Sequence, residues 1–185
     1  DMVKSTVWLV FARDYSSSLK NLVILNLIGD VLCSNLGSIL YEVLRIRKKL
    51  VYEINSWAHP GPLLESLTLS FTCDTSKVYT IILLIKRIIE NIEITDAQWK
   101  GFKEITVRDE KQICSIRDKA QGYSAQWSLF DSLENNIKVI NSVSKKDILS
   151  SMKDIFFFKK VLILHQSPKP FPKDRKAKLL SKLNV

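Results

Sequence analysis

Histidine is nearly absent from the chain. His59 and His165 are the two in 185 residues, far apart, and neither has the Glu and His neighbours by which a helix grips zinc at i, i+4 spacing. A zinc site built by this chain alone is therefore not expected, and no cofactor is. His59, beside Pro60 in a turn, and His165, at a strand end, both read as ordinary surface residues. Cysteine is scarce too: Cys33, Cys73 and Cys114 are odd in number and widely spaced, so neither a disulfide framework nor a CxxC metal site is suggested. Isolated thiols of this kind read as core or half-buried groups and favour a reducing compartment. The compartment itself is not encoded.

Long apolar runs are missing as well. Ile81 to Ile85, and Leu22 to Ile28 with Asn26 inside it, fall well short of the roughly 20 residues that cross a bilayer, so no membrane span is expected. Met2 is followed by a strand-like segment carrying Lys4, not by a basic start and an apolar block, which speaks against a signal peptide. Asp1 in front of it suggests a piece cut from a longer chain. A Gly-rich phosphate loop and an aromatic-basic RNA motif are also lacking. The formal charge of +9 is concentrated near the end, where Lys169, Lys173, Arg175, Lys176, Lys178 and Lys182 stand against Asp174. A mildly basic body with a basic tail reads as a solvated surface, and a nucleic-acid partner is not expected.

What is present is apolar residue in quantity, 46% of the chain, enough for one sizeable core and one domain. Residues 3 to 11 read as a strand. Ser17 or Ser18 caps a helix whose apolar positions run from Leu22 to Leu32, and a second helix spans about Ser38 to Lys49. Residues 51 to 58 form another strand, turned by Pro60, Gly61 and Pro62. In the next, Leu67, Leu69, Phe71 and Cys73 alternate with Ser66, Thr68, Ser70 and Thr72, so one face packs and the other meets water or a polar partner.

The remainder is mainly helical. Asp74 or Thr75 opens a helix to about Asn91, and Thr95 with Gln98, then Ser144 with Asp147, show the capping-box spacing before two more. Gly122 marks a break before a helix around Ser124 to Asn135, and Lys160 to His165 read as a closing strand. The order implies an α+β two-layer sandwich, helices on one face of a largely antiparallel sheet, over residues 1–166. Residues 167–185, with Pro168, Pro170 and Pro172 ahead of Leu179, Leu180 and Leu183, read as an exposed Pro/Lys-rich tail, with an amphipathic helix against a partner as the alternative.

The segment SNLGSILYEVLRIRKKLVYEI carries a pattern of its own. It resembles the carboxy-terminal, non-metal-binding domain of the M16 peptidases (pitrilysin, insulinase, mitochondrial processing peptidase), where a small Gly/Ser turn precedes a Leu-Arg helix end and a Tyr follows the Arg by seven residues. Arg45 and Tyr52 occupy those two positions. The order of elements to about Gln166, including the ending VSKKDILSSMKDIFFFKKVLIL, is similar too. The resemblance implies a hydrolase half that acts on a peptide substrate with an HxxEH-bearing domain or subunit, on which the zinc would sit.

In that setting Tyr52 would supply a neutral O–H to the oxyanion that develops at the scissile carbonyl, and Arg45 a planar fork of donors for substrate oxygens. Read without the resemblance, a Tyr at a strand start packs with its hydroxyl wet, and an Arg near a helix end pairs with that helix's carbonyls. Arg47, Lys48 and Lys49 add positive charge nearby. The polar strand face either borders the cleft or faces solvent. A non-catalytic scaffold relative that binds protein partners is the alternative to the peptidase half.

Overall fold

The computed structural model describes residues 4–14, 18–34, 37–60, 63–112, 133–168 and 173–183. Alternation sets its centre. In strand β3 (Leu64–Asp74), Leu67, Leu69, Phe71 and Cys73 all point into the core, as period-two packing requires. Strand β1 (Lys4–Asp14) lies antiparallel beside it in unbroken register, with Val7 opposite Phe71, Leu9 opposite Leu69 and Phe11 opposite Leu67. Large apolar residues thus meet large apolar residues on one face. Strand β2 (Val51–Pro60) flanks β3 and the short β4 (Leu162–Gln166) flanks β1, giving the order β2-β3-β1-β4 with every pair antiparallel.

Helices cover the inner face. Helix α1 (Leu19–Gly29) is apolar nearly all round and correspondingly buried from Leu22 to Leu25 and again at Leu27 and Ile28. Its last residue lies so close to β2 that a Cβ on Gly29 would sit 2.8 Å from Ser56 Oγ, which is why no side chain fits there. Against it pack α3 (Asp96–Gln112), α4 (Leu133–Ser142) and α5 (Lys145–Ile155), while α2 (Val78–Glu90) adds Ile81, Ile82 and Ile85 to the same core. The two-layer α+β sandwich expected from the sequence is the fold observed. Both capping boxes are present: Gln98 N–H donates to Thr95 Oγ1 at 3.2 Å while Thr95 N–H donates to Gln98 Oε1 at 3.0 Å, and Ser144 and Asp147 exchange the same pair of bonds.

One charged pair is sealed inside the sheet's far end. Arg13 Nε donates to Glu65 Oε2 at 2.9 Å, Arg13 Nη1 donates to Ser151 Oγ on α5 at 3.0 Å, and Glu65 is 1% exposed. Nearby, Phe156 and Phe158 meet Phe11 edge to face at 4.8 and 5.1 Å.

Three expectations need revision. The polar face of β3 is not simply wet: Thr68 and Ser70 are buried, because Trp57 and Trp8 lie directly across from them on the neighbouring strands. Residues 173–183 are not an exposed tail. They form helix α6 (Lys173–Leu183), which packs on α2 with Leu179 and Leu183 in the core, while Lys86 Nζ donates to the Lys182 carbonyl at 3.0 Å. The stretch read as the second helix is wound differently over Tyr41–Arg47, as a π-helix. The helix expected around Ser124 to Asn135 and Cys114 fall almost wholly outside the described residues. Cys33 and Cys73 are buried free thiols; burial pushes the Cys73 thiol up to about 12 and raises Cys33 further.

Candidate functional site

Asp30–Ser34, directly after α1, is π-wound, and from Tyr41 to Tyr52 the backbone departs from regular geometry three more times in twelve residues. Tyr41–Arg47 is π-wound, with Lys48 N–H bonded to the Val43 carbonyl at 3.0 Å. Such windings are uncommon and recur at functional sites. Lys49 then takes φ 50°, a left-handed conformation, and Leu50 N–H reaches back to the Leu44 carbonyl at 2.8 Å to close the helix end. Finally β2 begins on a bulge: Val51 pairs with Cys73 and Glu53 with Thr72, so Tyr52 is the extra residue between two paired ones. A bulge re-aims the side chain it carries.

The result is that Arg45 and Tyr52, seven positions apart, line one open cavity of about 510 Å³, together with Lys49, Asp74 and Lys77. Leu40 and Leu44, fully buried on the inner side of the π segment, anchor it and leave Arg45 turned outward. The Arg45 guanidinium is fixed by a bond from Nη1 to the Val51 carbonyl at 3.0 Å. Tyr52, 36% exposed, donates its hydroxyl to Asp74 Oδ1 at 2.7 Å; Lys77 Nζ holds Oδ2 of the same carboxylate at 2.8 Å. Lys4 Nζ lies 4.5 Å from the centre of the Tyr52 ring, over its face.

Charge follows from these contacts. Accepting from Lys77 and Tyr52 holds the Asp74 carboxyl below the usual carboxylate range, and the same bonds raise the Lys77 ammonium and the Tyr52 phenol. At neutral pH Tyr52 therefore keeps its proton, as a hydrogen-bond donor must. The site can orient a polar group and donate to it.

Asp74 reads from the sequence as a helix opener and Lys4 as part of a strand, and neither they nor Lys77 is expected there as a site residue. A hairpin turned at 60–62 sets the start of one strand beside the end of the next, so the pairing was the available signal for a neighbour of Tyr52 in the low seventies. Both histidines border one shallow groove, together with Trp8, Val10, Trp57, Thr68 and Leu164. His165 lies across from Val7, is within 3.0 Å of Ser5 Oγ through Nε2, and is lowered in pKa by burial. Among the described residues no three His, Cys, Asp or Glu side chains are grouped to hold a metal ion. The described residues of this chain do not fit zinc.

No protein-family model matches the sequence, and no curated protein matches it. Solved structures do match the fold. The peptidase M16 inactive domain from Pseudomonas fluorescens superposes with a TM-score of 0.73 at 13% identity, covering 92% of this chain and 42% of that one. A protease from Helicobacter pylori gives 0.72 at 17% identity, covering 89% and 41%. The inactive peptidase domain of a provisionally assigned zinc protease from Bordetella parapertussis gives 0.69 at 11% identity, covering 91% and 93%. At these identities the likeness concerns the fold: this chain has the fold of the inactive M16 peptidase domains. It spans about two fifths of the length of the first two structures.

Proposed function

We propose that this chain is the substrate-clamping, non-zinc half of an M16-type metallopeptidase, acting with a companion domain or subunit that carries the HxxEH helix and its zinc. The observation that carries this reading is the convergence of Arg45 and Tyr52 on one open cavity through a π turn, a left-handed residue and a bulge. Each departure costs regular hydrogen bonding or backbone freedom, and together they serve to present two side chains. Arg45, pinned to the Val51 carbonyl, positions the peptide with the remaining donors of its fork. Tyr52 supplies the O–H to the carbonyl oxygen as negative charge builds on it, after turning that hydrogen away from Asp74.

The test is steady-state kinetics of the complete zinc-containing assembly. Losing one oriented oxyanion donor lowers kcat on the order of 10²- to 10³-fold, so Tyr52→Phe should do this while the domain's melting temperature holds. Arg45→Ala should place a larger share of its loss in KM, because a clamp is felt before the transition state as well as in it. Near-parental kcat/KM for both variants would refute the catalytic role.

The alternative, a non-catalytic scaffold subunit, draws support from one feature: both side chains already have partners inside the domain, Tyr52 in Asp74 and Arg45 in Val51. On that reading the bonds only stiffen the edge of the sheet.

A further inference from the structure

We infer that the cavity over Tyr52 takes a carboxylate, borne by an acidic side chain or by the C-terminus of a peptide. This rests on the reading that the cavity meets a peptide and adds what that peptide must carry. Four cations surround the site: Arg45, Lys49 and Lys77 in its lining, and Lys4 over the Tyr52 ring. Among the described residues its lining holds a single carboxylate, Asp74, and both of that group's oxygens are engaged, one by Tyr52 and one by Lys77. Arg45, Lys49 and Lys4 form no ion pair with any described carboxylate. The site therefore keeps a positive surplus in a concave place, where attraction for an anion is concentrated.

Geometry and chemistry agree on the ligand. Asp74 demonstrates what the donors accept, since a phenol O–H and an ammonium converge on one carboxylate at 2.7 and 2.8 Å. The bond to the Val51 carbonyl uses one Arg45 donor and fixes the guanidinium plane, so other N–H groups of the fork remain for a planar, two-oxygen acceptor. A neutral main-chain carbonyl would satisfy one donor and leave the surplus charge uncompensated. Asp74 thus occupies part of a carboxylate site and competes with the incoming group.

Three hexapeptides separate the possibilities, each titrated into the ¹⁵N-labelled 185-residue chain: an acetylated, amidated alanine-rich peptide with one central glutamate, the same peptide with glutamine, and the glutamine peptide with a free C-terminal carboxylate. At least one carboxylate peptide should bind about five- to tenfold more tightly than the neutral one, with amide shifts at Arg45, Tyr52 and Lys77, and the preference should fade as salt rises. The arm that binds identifies the source of the carboxylate. Lys49→Gln, at an exposed position with no bond to the fold, should reduce the preference. Asp74→Asn keeps an acceptor for Tyr52 and removes the competing charge, so it should tighten the carboxylate peptide several-fold. Equal affinity for charged and neutral peptides at this cavity, or weaker binding by Asp74→Asn, overturns the inference and leaves the peptide-clamping reading intact. Binding of none of the three, or shifts confined to another surface, removes both.

Discussion

Strands β3 and β2 run side by side and are built to opposite ends. β3 is paired on both edges, keeps its register with β1 over all eleven residues, and buries each of its inward side chains. Among the described residues β2 is paired on one edge only, opens on a bulge, and leaves Tyr52 and Trp57 partly exposed. Regular pairing yields stability because every backbone group and side chain is satisfied by a neighbour. The irregular strand gives up some of that satisfaction and gains an outward-facing side chain. Substitutions in β3 should therefore be read as folding defects, and those around Tyr52 as defects of presentation.

The largest test of that contrast is Leu69→Asp. A carboxylate placed where Leu69 is fully buried has no partner, which costs on the order of 4 kcal/mol or more, and circular dichroism should show loss of the cooperative melt. A parental melt would mean that the inner face is not the core. Next comes Glu65→Ala, still within β3, which leaves the Arg13 guanidinium facing a buried gap. Removing one partner of such a pair costs about 3 kcal/mol, and urea unfolding should show it as a lower midpoint with an unchanged slope. Somewhat smaller is Leu179→Ala on α6, at roughly 2–3 kcal/mol by cavity formation; a fully stable variant would return residues 173–183 to the status of a tail.

At the small end, Tyr52→Phe should shift the melting temperature by no more than about 2 °C, since it removes one oxygen from an exposed site. A companion measurement uses proton linkage. The Tyr52 phenol is raised by its bond to Asp74, so whatever stability the bond supplies is complete below the ordinary phenol pKa and is lost as pH rises through the raised value. Site-resolved NMR titration should find Tyr52 ionising above the ordinary range, and moving back toward it in Asp74→Asn. No change in that variant would mean that the hydroxyl does not face Asp74.

Much of this is legible in the sequence. The alternation from Ser66 to Cys73 and the spacings Thr95 to Gln98 and Ser144 to Asp147 are local signals, and each produced the element it announced. Arg45 and Tyr52 were legible as a pair, and the structure brings them to one cavity. The π winding was not, since its buried leucines, Leu40 and Leu44, are spaced as they would be in an α-helix. Nor was the bulge, because it is a property of β2 and β3 together and leaves no mark at Tyr52 itself. Asp74 stayed hidden because its contact with Tyr52 spans 22 positions. Composition hides helix α6: prolines and lysines suggest exposure, yet Leu179 and Leu183, four apart, form the stripe that packs on α2.

The seating of β1 has a further consequence, for the order of events in folding. Of the four described strands β1 comes earliest in the sequence, yet one of its two neighbours is β4, the last of them, with Val10 across from Leu162, about 150 positions later. A polypeptide emerging from the ribosome could join β1 to β3 once residue 74 is free, but must hold the other edge of β1 unpaired until nearly the whole domain has been synthesised. That edge carries Trp8 and Val10 on one side and Leu9 on the other, a segment prone to pair with a second nascent copy. Closing so distant a contact is also slow. Chaperone demand and aggregation during expression should accordingly track the length of time for which β1 waits for β4, and a circular permutant that makes the two strands consecutive should shorten it.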